Sequence, residues 1–163
     1  MTSLAYSRTF SCTPERLFDH LEDPAKIVQW MTGVIEDRPT SPGPTRVGST
    51  FTMKIKEGRK ISENQGRVTH FERPRRLSVA MSGGCFPEGM EMAIDYRLEP
   101  VSGTATRLDY TCAFEPKGFF LRLMALLFPV MGKLMVKGFF KNLARLVEAP
   151  AEAPSTAPRP ATR

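Results

Sequence analysis

Most of the chain between residues 4 and 114 consists of short segments in which apolar and polar residues alternate. Alternation with a period of two is typical of a β-strand that has one buried face. In the clearest segment, Met92, Ile94 and Tyr96 alternate with small or charged residues. Glycine and proline residues separate the segments, as expected for turns. The pattern predicts strands at 4–12, 34–38, 51–55, 60–71, 77–81, 90–98 and 108–114, with Gly66 marking a bulge.

Two short helices are predicted directly after the first strand. Thr13-Pro14 and Asp23-Pro24 each combine a residue type that caps helices with a proline suited to the first helical position. Apolar residues follow both pairs at helical spacing. The helices are therefore expected to begin at Pro14 and Pro24.

The segment 118–147 is nearly solid with Phe, Leu, Met and Val, and it predicts one long apolar helix. Pro129 removes the hydrogen bond to the carbonyl of Ala125, so we expect a kink there. Gly132 and Gly138 weaken the helix further. A curved antiparallel sheet crossed by such a helix would enclose a hollow, which indicates a binding cavity.

Length and composition are those of one ordinary globular domain, since 41% of the 163 residues are hydrophobic and 25% are charged. Residues 149–163 are rich in Ala and Pro without apolar periodicity, which predicts a disordered tail behind a domain at 1–148. Cys12, Cys85 and Cys112 show neither paired nor zinc-ligand spacing, so no metal site is expected. With no apolar signal segment at the N-terminus, these features favour a cytoplasmic protein.

The formal net charge is +6, from 23 Lys and Arg residues against 17 Asp and Glu residues. A basic balance suits nucleic acid or an anionic membrane surface. However, the basic residues are spread over strands and helix alike, and no nucleic-acid-binding motif accompanies them. Nucleic-acid binding is therefore not expected.

Four short sequence segments resemble those of a known family: TPERLF at 13–18, DPAKIVQW at 23–30, GSTF at 48–51 and GRVTHFERPRRL at 66–77. In these segments and in the order of its elements, the chain resembles the START-like SRPBCC superfamily over residues 1–148. That superfamily includes polyketide cyclases, birch-pollen-allergen-like proteins and lipid-transfer domains. The resemblance implies an α+β helix-grip fold, in which a curved antiparallel sheet wraps around a long C-terminal helix and two short helices follow the first strand. It says little about chemistry, because one scaffold serves binding, transfer, cyclisation and regulation.

In the helix-grip fold, the strand faces turned towards the long helix either form solid core or line a cavity. Flexible Met side chains would adapt such a wall to varied apolar shapes. The resemblance makes the following residues candidates for ligand binding: Trp30, Phe51, Met53, Ile55, Val79, Met81, Met92, Ile94, Tyr96, Leu108, Tyr110, Cys112, Phe114, Met124, Phe128 and Met131.

A few polar groups fall on positions that the pattern sends inward. Trp30, the single tryptophan, is placed by the resemblance at the cavity mouth or as a packing anchor between the short helices. Arg8 and Glu63 either orient the polar head of a ligand or form a structural pair with each other, because a buried charge needs a partner. Tyr96 and Tyr110 carry hydroxyls on otherwise apolar faces.

No catalytic or cofactor motif is present, and His20 and His70 stand apart from any nucleophile. No cofactor is expected, and the spacing nominates no catalytic residue. Acid–base catalysis by a Tyr or Glu in a dry pocket stays open.

The long helix also raises the question of an exposed apolar side. Pro129 and Gly132 interrupt the stretch 119–136, so a transmembrane helix is not expected. Its outer side, through Leu126 and Val130, stays apolar and could touch a membrane surface or a second subunit, which leaves monomer and homodimer open. A basic row follows at Lys133, Lys137, Lys141 and Arg145.

The sequence thus predicts a domain that binds a small hydrophobic or amphipathic molecule in a cavity between sheet and C-terminal helix, for transport or sequestration. The first alternative is a cyclase-like or dehydratase-like enzyme acting on a polyketide-type substrate. The second is a membrane-surface or protein-interaction module that uses the apolar, basic helix.

Overall fold

The computed structural model describes residues 1–150, which form seven strands and four helices. The predicted disordered tail at 149–163 therefore lies almost wholly outside the described residues. The elements are β1 (Thr2–Phe10), α1 (Pro14–Glu22), α2 (Pro24–Trp30), β2 (Val34–Pro39), β3 (Thr50–Glu57), β4 (Lys60–Glu72), β5 (Arg76–Ser82), β6 (Glu91–Ser102), β7 (Ala105–Phe114), α3 (Phe119–Ala125) and α4 (Phe128–Val147).

All seven strands form one antiparallel sheet in the order β1-β7-β6-β5-β4-β3-β2. Strands β2 to β7 follow one another as a meander, and β1 pairs with β7 at the far edge. One face of the sheet carries the apolar positions of the alternating pattern, and the helices cover that face. The predicted α+β helix-grip architecture is confirmed.

The two short helices begin as their capping signals predict. The Thr13 hydroxyl oxygen accepts a hydrogen bond from the backbone N–H of Arg16 at 3.4 Å, and Pro14 is the first helical residue. At the second helix, Asp23 Oδ1 accepts from the N–H of Ala25 at 2.9 Å. These bonds satisfy N–H groups that have no partner inside a helix, so each cap fixes where its helix starts.

The long C-terminal helix is divided into two. α3 and α4 meet at a 55° bend, with the break at Leu126 and Leu127, and Pro129 occupies the first turn of α4. The predicted kink is thus confirmed, and it is sharp enough to separate two helices. Among the described residues no single helix is long and apolar enough to cross a membrane, and the bent pair meets those criteria only when its two helices are taken together.

The second half of α4 holds the helix to the sheet. Phe140 is only 1% exposed. Its ring lies 5.6 to 6.4 Å from the ring centroids of Tyr6, Phe10, Trp30 and Tyr110. Such an aromatic cluster fills the space between α4, β1 and β7 with close-packed side chains.

The predicted bulge at Gly66 is wrong, because β4 shifts register between Val68 and His70 instead. Gly66 pairs with Phe51 of β3, whose ring lies over it. A Cβ atom at Gly66 would come within 2.1 Å of Phe51 Cζ. The glycine therefore makes room for an aromatic ring on the inner face.

Candidate ligand-binding cavity

A cavity of about 150 Å³ lies between the inner face of β2 to β6 and the two short helices. The loop that joins β2 to β3 forms its outer edge, where the lining residues Pro39 and Gly43 are exposed. The mouth therefore lies between this loop and the junction of α1 with α2.

The wall of the cavity is mostly apolar. Its floor is a row of inward-facing residues on adjacent strands, with Val68, Val79 and Ile94 paired in register across β4, β5 and β6. The apolar and aromatic lining residues are Leu21, Pro24, Ile27, Trp30, Met31, Pro39, Phe51, Met53, Val68, Leu77, Val79, Met81, Ile94 and Tyr96.

Two roles were predicted for Trp30, a place at the cavity mouth and a packing anchor between the short helices, and each is met only in part. Its ring lines the cavity and is 2% exposed to solvent. Its Nε1–H donates to the backbone carbonyl of His20 at 2.8 Å, so α1 and α2 are joined through it. Because this donor is already used, Trp30 offers a ligand an apolar surface only.

Asp37 is the acid that sequence analysis missed. Strand alternation would place Val34 and Asp37 on opposite faces. A β-bulge between Val34 and Glu36 changes the register, so that Val34 pairs with Ile55 and Asp37 pairs with Met53. Val34 is buried in the core and Ile55 packs against it, whereas Asp37 and Met53 line the cavity. The bulge thus turns a carboxyl group into the cavity wall.

The carboxyl group of Asp37 has an unusual environment. Its Oδ1 is one of three buried side-chain polar atoms without a hydrogen-bond partner among the described residues, and it belongs to a residue of the cavity lining. Burial raises the pKa of Asp37 from 3.8 to about 6. The group therefore gains a proton in the weakly acidic range, unlike an ordinary surface aspartate.

Several other polar side chains at the cavity edge already have partners. Glu22 Oε2 accepts from Arg73 Nη1 at 2.7 Å. The hydroxyl oxygens of Ser41 and Ser49 accept from backbone N–H groups at 2.9 and 3.0 Å. Asp37 is thus set apart from these groups by an unused hydrogen-bonding atom.

The raised pKa predicts how Asp37 affects stability. An acid with a higher pKa in the folded protein holds its proton more tightly there, so its contribution to stability is present below pH 3.8 and is lost as the pH rises through about 6. We expect Asp37→Asn to raise the free energy of unfolding by about 1–2 kcal/mol at neutral pH, after allowance for partial exposure. Denaturant unfolding of both proteins across this pH range measures the difference.

The difference should shrink towards zero at acidic pH, where both side chains are neutral. Glu57→Gln, which removes an exposed carboxylate at the end of β3, is the matched control and should change the free energy of unfolding by no more than about 0.5 kcal/mol. A constant difference between wild type and Asp37→Asn at all pH values would contradict the assignment of the raised pKa.

Seven of the predicted ligand-binding residues line the cavity, and the others lie elsewhere. The lining set is Trp30, Phe51, Met53, Val79, Met81, Ile94 and Tyr96. Their contact with a ligand stays a prediction. The signal for the missed Leu77 was present, because it alternates with Val79 and Met81 on β5.

The prediction that the C-terminal helix closes the cavity is wrong. No residue of α3 or α4 lines it, because the aromatic cluster around Phe140 fills the space beneath α4. Leu108, Tyr110 and Cys112 are buried in that core, and Ile55 packs against it. Met92 and Phe128 pack against a second cluster that contains Phe114, and Met124 and Met131 are exposed.

The two predicted polar cavity residues do not line the cavity, and they do not pair. Glu63 is exposed, because the buried positions of β4 are Ser62, Asn64 and their alternating neighbours. An Arg8 to Glu63 pair is excluded because three strands separate β1 from β4 in the sheet. Arg8 is half-buried, and its Cζ lies 5.4 Å from the centroid of the Phe10 ring.

Burial keeps the other candidate groups protonated. It raises the pKa of Tyr96 and of Tyr110 above the ordinary value for a phenol. It also raises the pKa of the Cys12 and Cys112 thiols to about 11, and a thiol that holds its proton is a poor nucleophile. Within residues 1–150, no group of three or more His, Cys, Asp or Glu side chains is arranged to hold a metal ion.

Fold and cavity together define a START-like helix-grip protein. The family model described as polyketide cyclase / dehydrase and lipid transport matches residues 1–148, and the chain belongs to this family. No curated protein matches the chain at a significant level.

Solved structures share the fold at low sequence identity. Protein CV1439 from Chromobacterium violaceum is 20% identical with a TM-score of 0.73, over 91% of this chain and 99% of that one. A START superfamily protein from Mycobacterium smegmatis is 10% identical with a TM-score of 0.73, over 91% and 98% of the two chains. A conserved protein from Geobacillus kaustophilus is 18% identical with a TM-score of 0.72, over 91% and 95%. At these identities the likeness shows the fold alone.

Proposed function

We propose that the protein binds a small, mainly apolar molecule in the cavity and holds a polar group of that molecule at Asp37. The observation that carries this proposal is the buried Asp37 Oδ1, which has no hydrogen-bond partner among residues 1–150 and belongs to a mostly apolar wall. A buried polar atom without a partner costs about 1–3 kcal/mol. A ligand that supplies the missing hydrogen bond recovers this energy on binding.

The chemistry of Asp37 restricts the ligand further. Oδ1 can accept a hydrogen bond whether the carboxyl group is ionised or carries its proton on the other oxygen. The complementary ligand group is therefore a donor, such as a hydroxyl or an amine. The flat apolar walls formed by Phe51, Trp30 and the strand residues suit a ring system or a short hydrocarbon chain.

A pair of ligands that differ by one donor tests this function. We expect the protein to bind 2-naphthol about tenfold more tightly than 2-methoxynaphthalene, because only the former donates to Asp37. Isothermal titration calorimetry measures both affinities. Asp37→Leu should bind the two compounds equally well.

Glu36→Gln is the matched control, because its side chain is the neighbouring carboxylate of β2 and does not line the cavity. This variant should keep the wild-type preference. Equal binding of the two compounds by the wild type would exclude the role of Asp37. The binding function itself would be contradicted if neither compound bound and if native mass spectra of the purified protein showed no bound apolar molecule.

A second candidate function is acid–base catalysis on a bound polyketide-type molecule. It is supported by the pKa of Asp37, which burial raises to about 6, since an acid that titrates near neutrality can both give and take a proton. The Tyr96 phenol in the same lining is a further donor. Mass spectrometry can follow the consumption of a poly-β-keto compound. Consumption by the wild type and not by Asp37→Asn would favour catalysis over simple binding.

A further inference from the structure

Exposed apolar side chains are concentrated on α3 and the first half of α4. Ten of the sixteen large apolar side chains that are exposed within residues 1–150 lie between Phe119 and Met135. Phe119 is 84% exposed and Leu126 is 74% exposed. Proteins rarely leave so many large apolar groups together in water unless the surface binds something. We call residues 119–135 the apolar surface.

The charge around the apolar surface has one sign. From residue 116 to residue 147 the chain contains no Asp or Glu. None of the basic side chains in this segment forms an ion pair within the described residues. The six cations are Lys117, Arg122, Lys133, Lys137, Lys141 and Arg145.

Four of these cations form a row along α4. Lys133, Lys137, Lys141 and Arg145 follow one another at intervals of four residues, so they lie along one side of the helix. The row begins beside the exposed Val130 and Leu134. Apolar groups flanked by uncompensated cations are the composition of a helix that lies in the boundary between the headgroups and the acyl chains of a bilayer.

We propose that the apolar surface binds to the surface of an anionic lipid bilayer. The apolar side chains enter the boundary region, and the basic row contacts lipid phosphates. This inference goes beyond ligand binding and does not depend on it, because the cavity lining contains no residue of α3 or α4.

The structure favours this occupant over two others. A second copy of the chain on a shared symmetric interface would bring together two surfaces that carry the same positive sign, which is unfavourable. A helix that crosses the bilayer would have to withdraw Phe140, Leu143 and Val147 from the core, where each is at most 1% exposed. A bilayer surface requires neither change.

Vesicle flotation tests the proposal on the full chain. We expect the affinity of the wild-type protein for vesicles of phosphatidylcholine and phosphatidylglycerol to be at least about tenfold higher than its affinity for vesicles of phosphatidylcholine alone. Added salt should weaken this binding. Leu126→Ser should reduce binding to both kinds of vesicle. Lys133→Gln combined with Lys137→Gln should remove the preference for phosphatidylglycerol.

Two exposed substitutions outside the apolar surface serve as controls. Val101→Ser removes an exposed apolar residue of β6, and Arg59→Gln removes an exposed cation between β3 and β4. Both should float like the wild type, and all variants should still bind 2-naphthol. Equal flotation of wild type and Leu126→Ser would overturn the proposal, as would a stable dimer that Leu126→Ser dissociates and that does not bind vesicles.

Discussion

Val79→Phe is expected to lower the affinity for 2-naphthol by at least about tenfold, the largest functional effect of any single change that we predict. Val79 lies in the middle of the cavity floor, between its register partners Val68 and Ile94. The added ring enters the empty space above these residues and occupies the volume that a ligand needs. Calorimetric titration of the folded variant measures the loss.

The fold should tolerate this substitution, because the larger side chain fills a void instead of displacing packed neighbours. We expect the free energy of unfolding to change by less than about 1 kcal/mol. Val101→Phe, at an exposed position on β6, makes the same change outside the cavity and should leave affinity and stability unaltered. Undiminished 2-naphthol binding by a folded Val79→Phe protein would show that the ligand binds elsewhere.

The order of elements could be predicted because local signals determine it. Alternating residues on β6 and β7 match their buried and exposed faces, and Thr13 and Asp23 cap the helices that their prolines open. These signals act over a few residues, so a single sequence contains them in full. Pro129 likewise acts on the turn before it, and the division of the C-terminal helix followed from that residue.

The position of the cavity could not be predicted in the same way. Whether α4 encloses a hollow depends on the size of side chains that meet from distant parts of the chain. Phe140 contacts Tyr6 and Phe10 of the first strand and Tyr110 of the last strand, and together they fill the space beneath α4. The cavity lies instead beneath the shorter α1 and α2, whose lining residues Leu21 and Ile27 also follow ordinary helical periodicity.

Asp37 shows the limit of strand alternation most directly. If side chains simply alternated along β2, Asp37 would point outward whenever Val34 points inward. One extra residue in the bulge reverses the count, and no residue type in the segment marks where the bulge must fall. To predict that Asp37 lies in the cavity wall, one must know how β2 pairs with β3, and this pairing is a property of the folded sheet.

Phe140→Ala is expected to cost about 3–5 kcal/mol of unfolding free energy, the largest loss of stability that we predict. Phe140 is almost wholly buried, and its ring is the common neighbour of four other aromatic rings. Removing it leaves a cavity that this cluster cannot collapse to fill, because its members come from a sheet and two helices. Urea unfolding, followed by the fluorescence of the nearby Trp30, measures the change.

Leu134→Ala provides the matched comparison on the same helix, since Leu134 is 68% exposed. It should alter the unfolding free energy by no more than about 0.5 kcal/mol, although it removes a side chain of similar apolar character. Comparable losses for the two variants would mean that the first half of α4 is packed in solution, and the apolar surface would then be covered by the protein itself. A large loss for Phe140→Ala alone would show that the side chains of α4 that face the sheet anchor the helix, whereas an exposed side chain such as Leu134 contributes little to the stability of the fold.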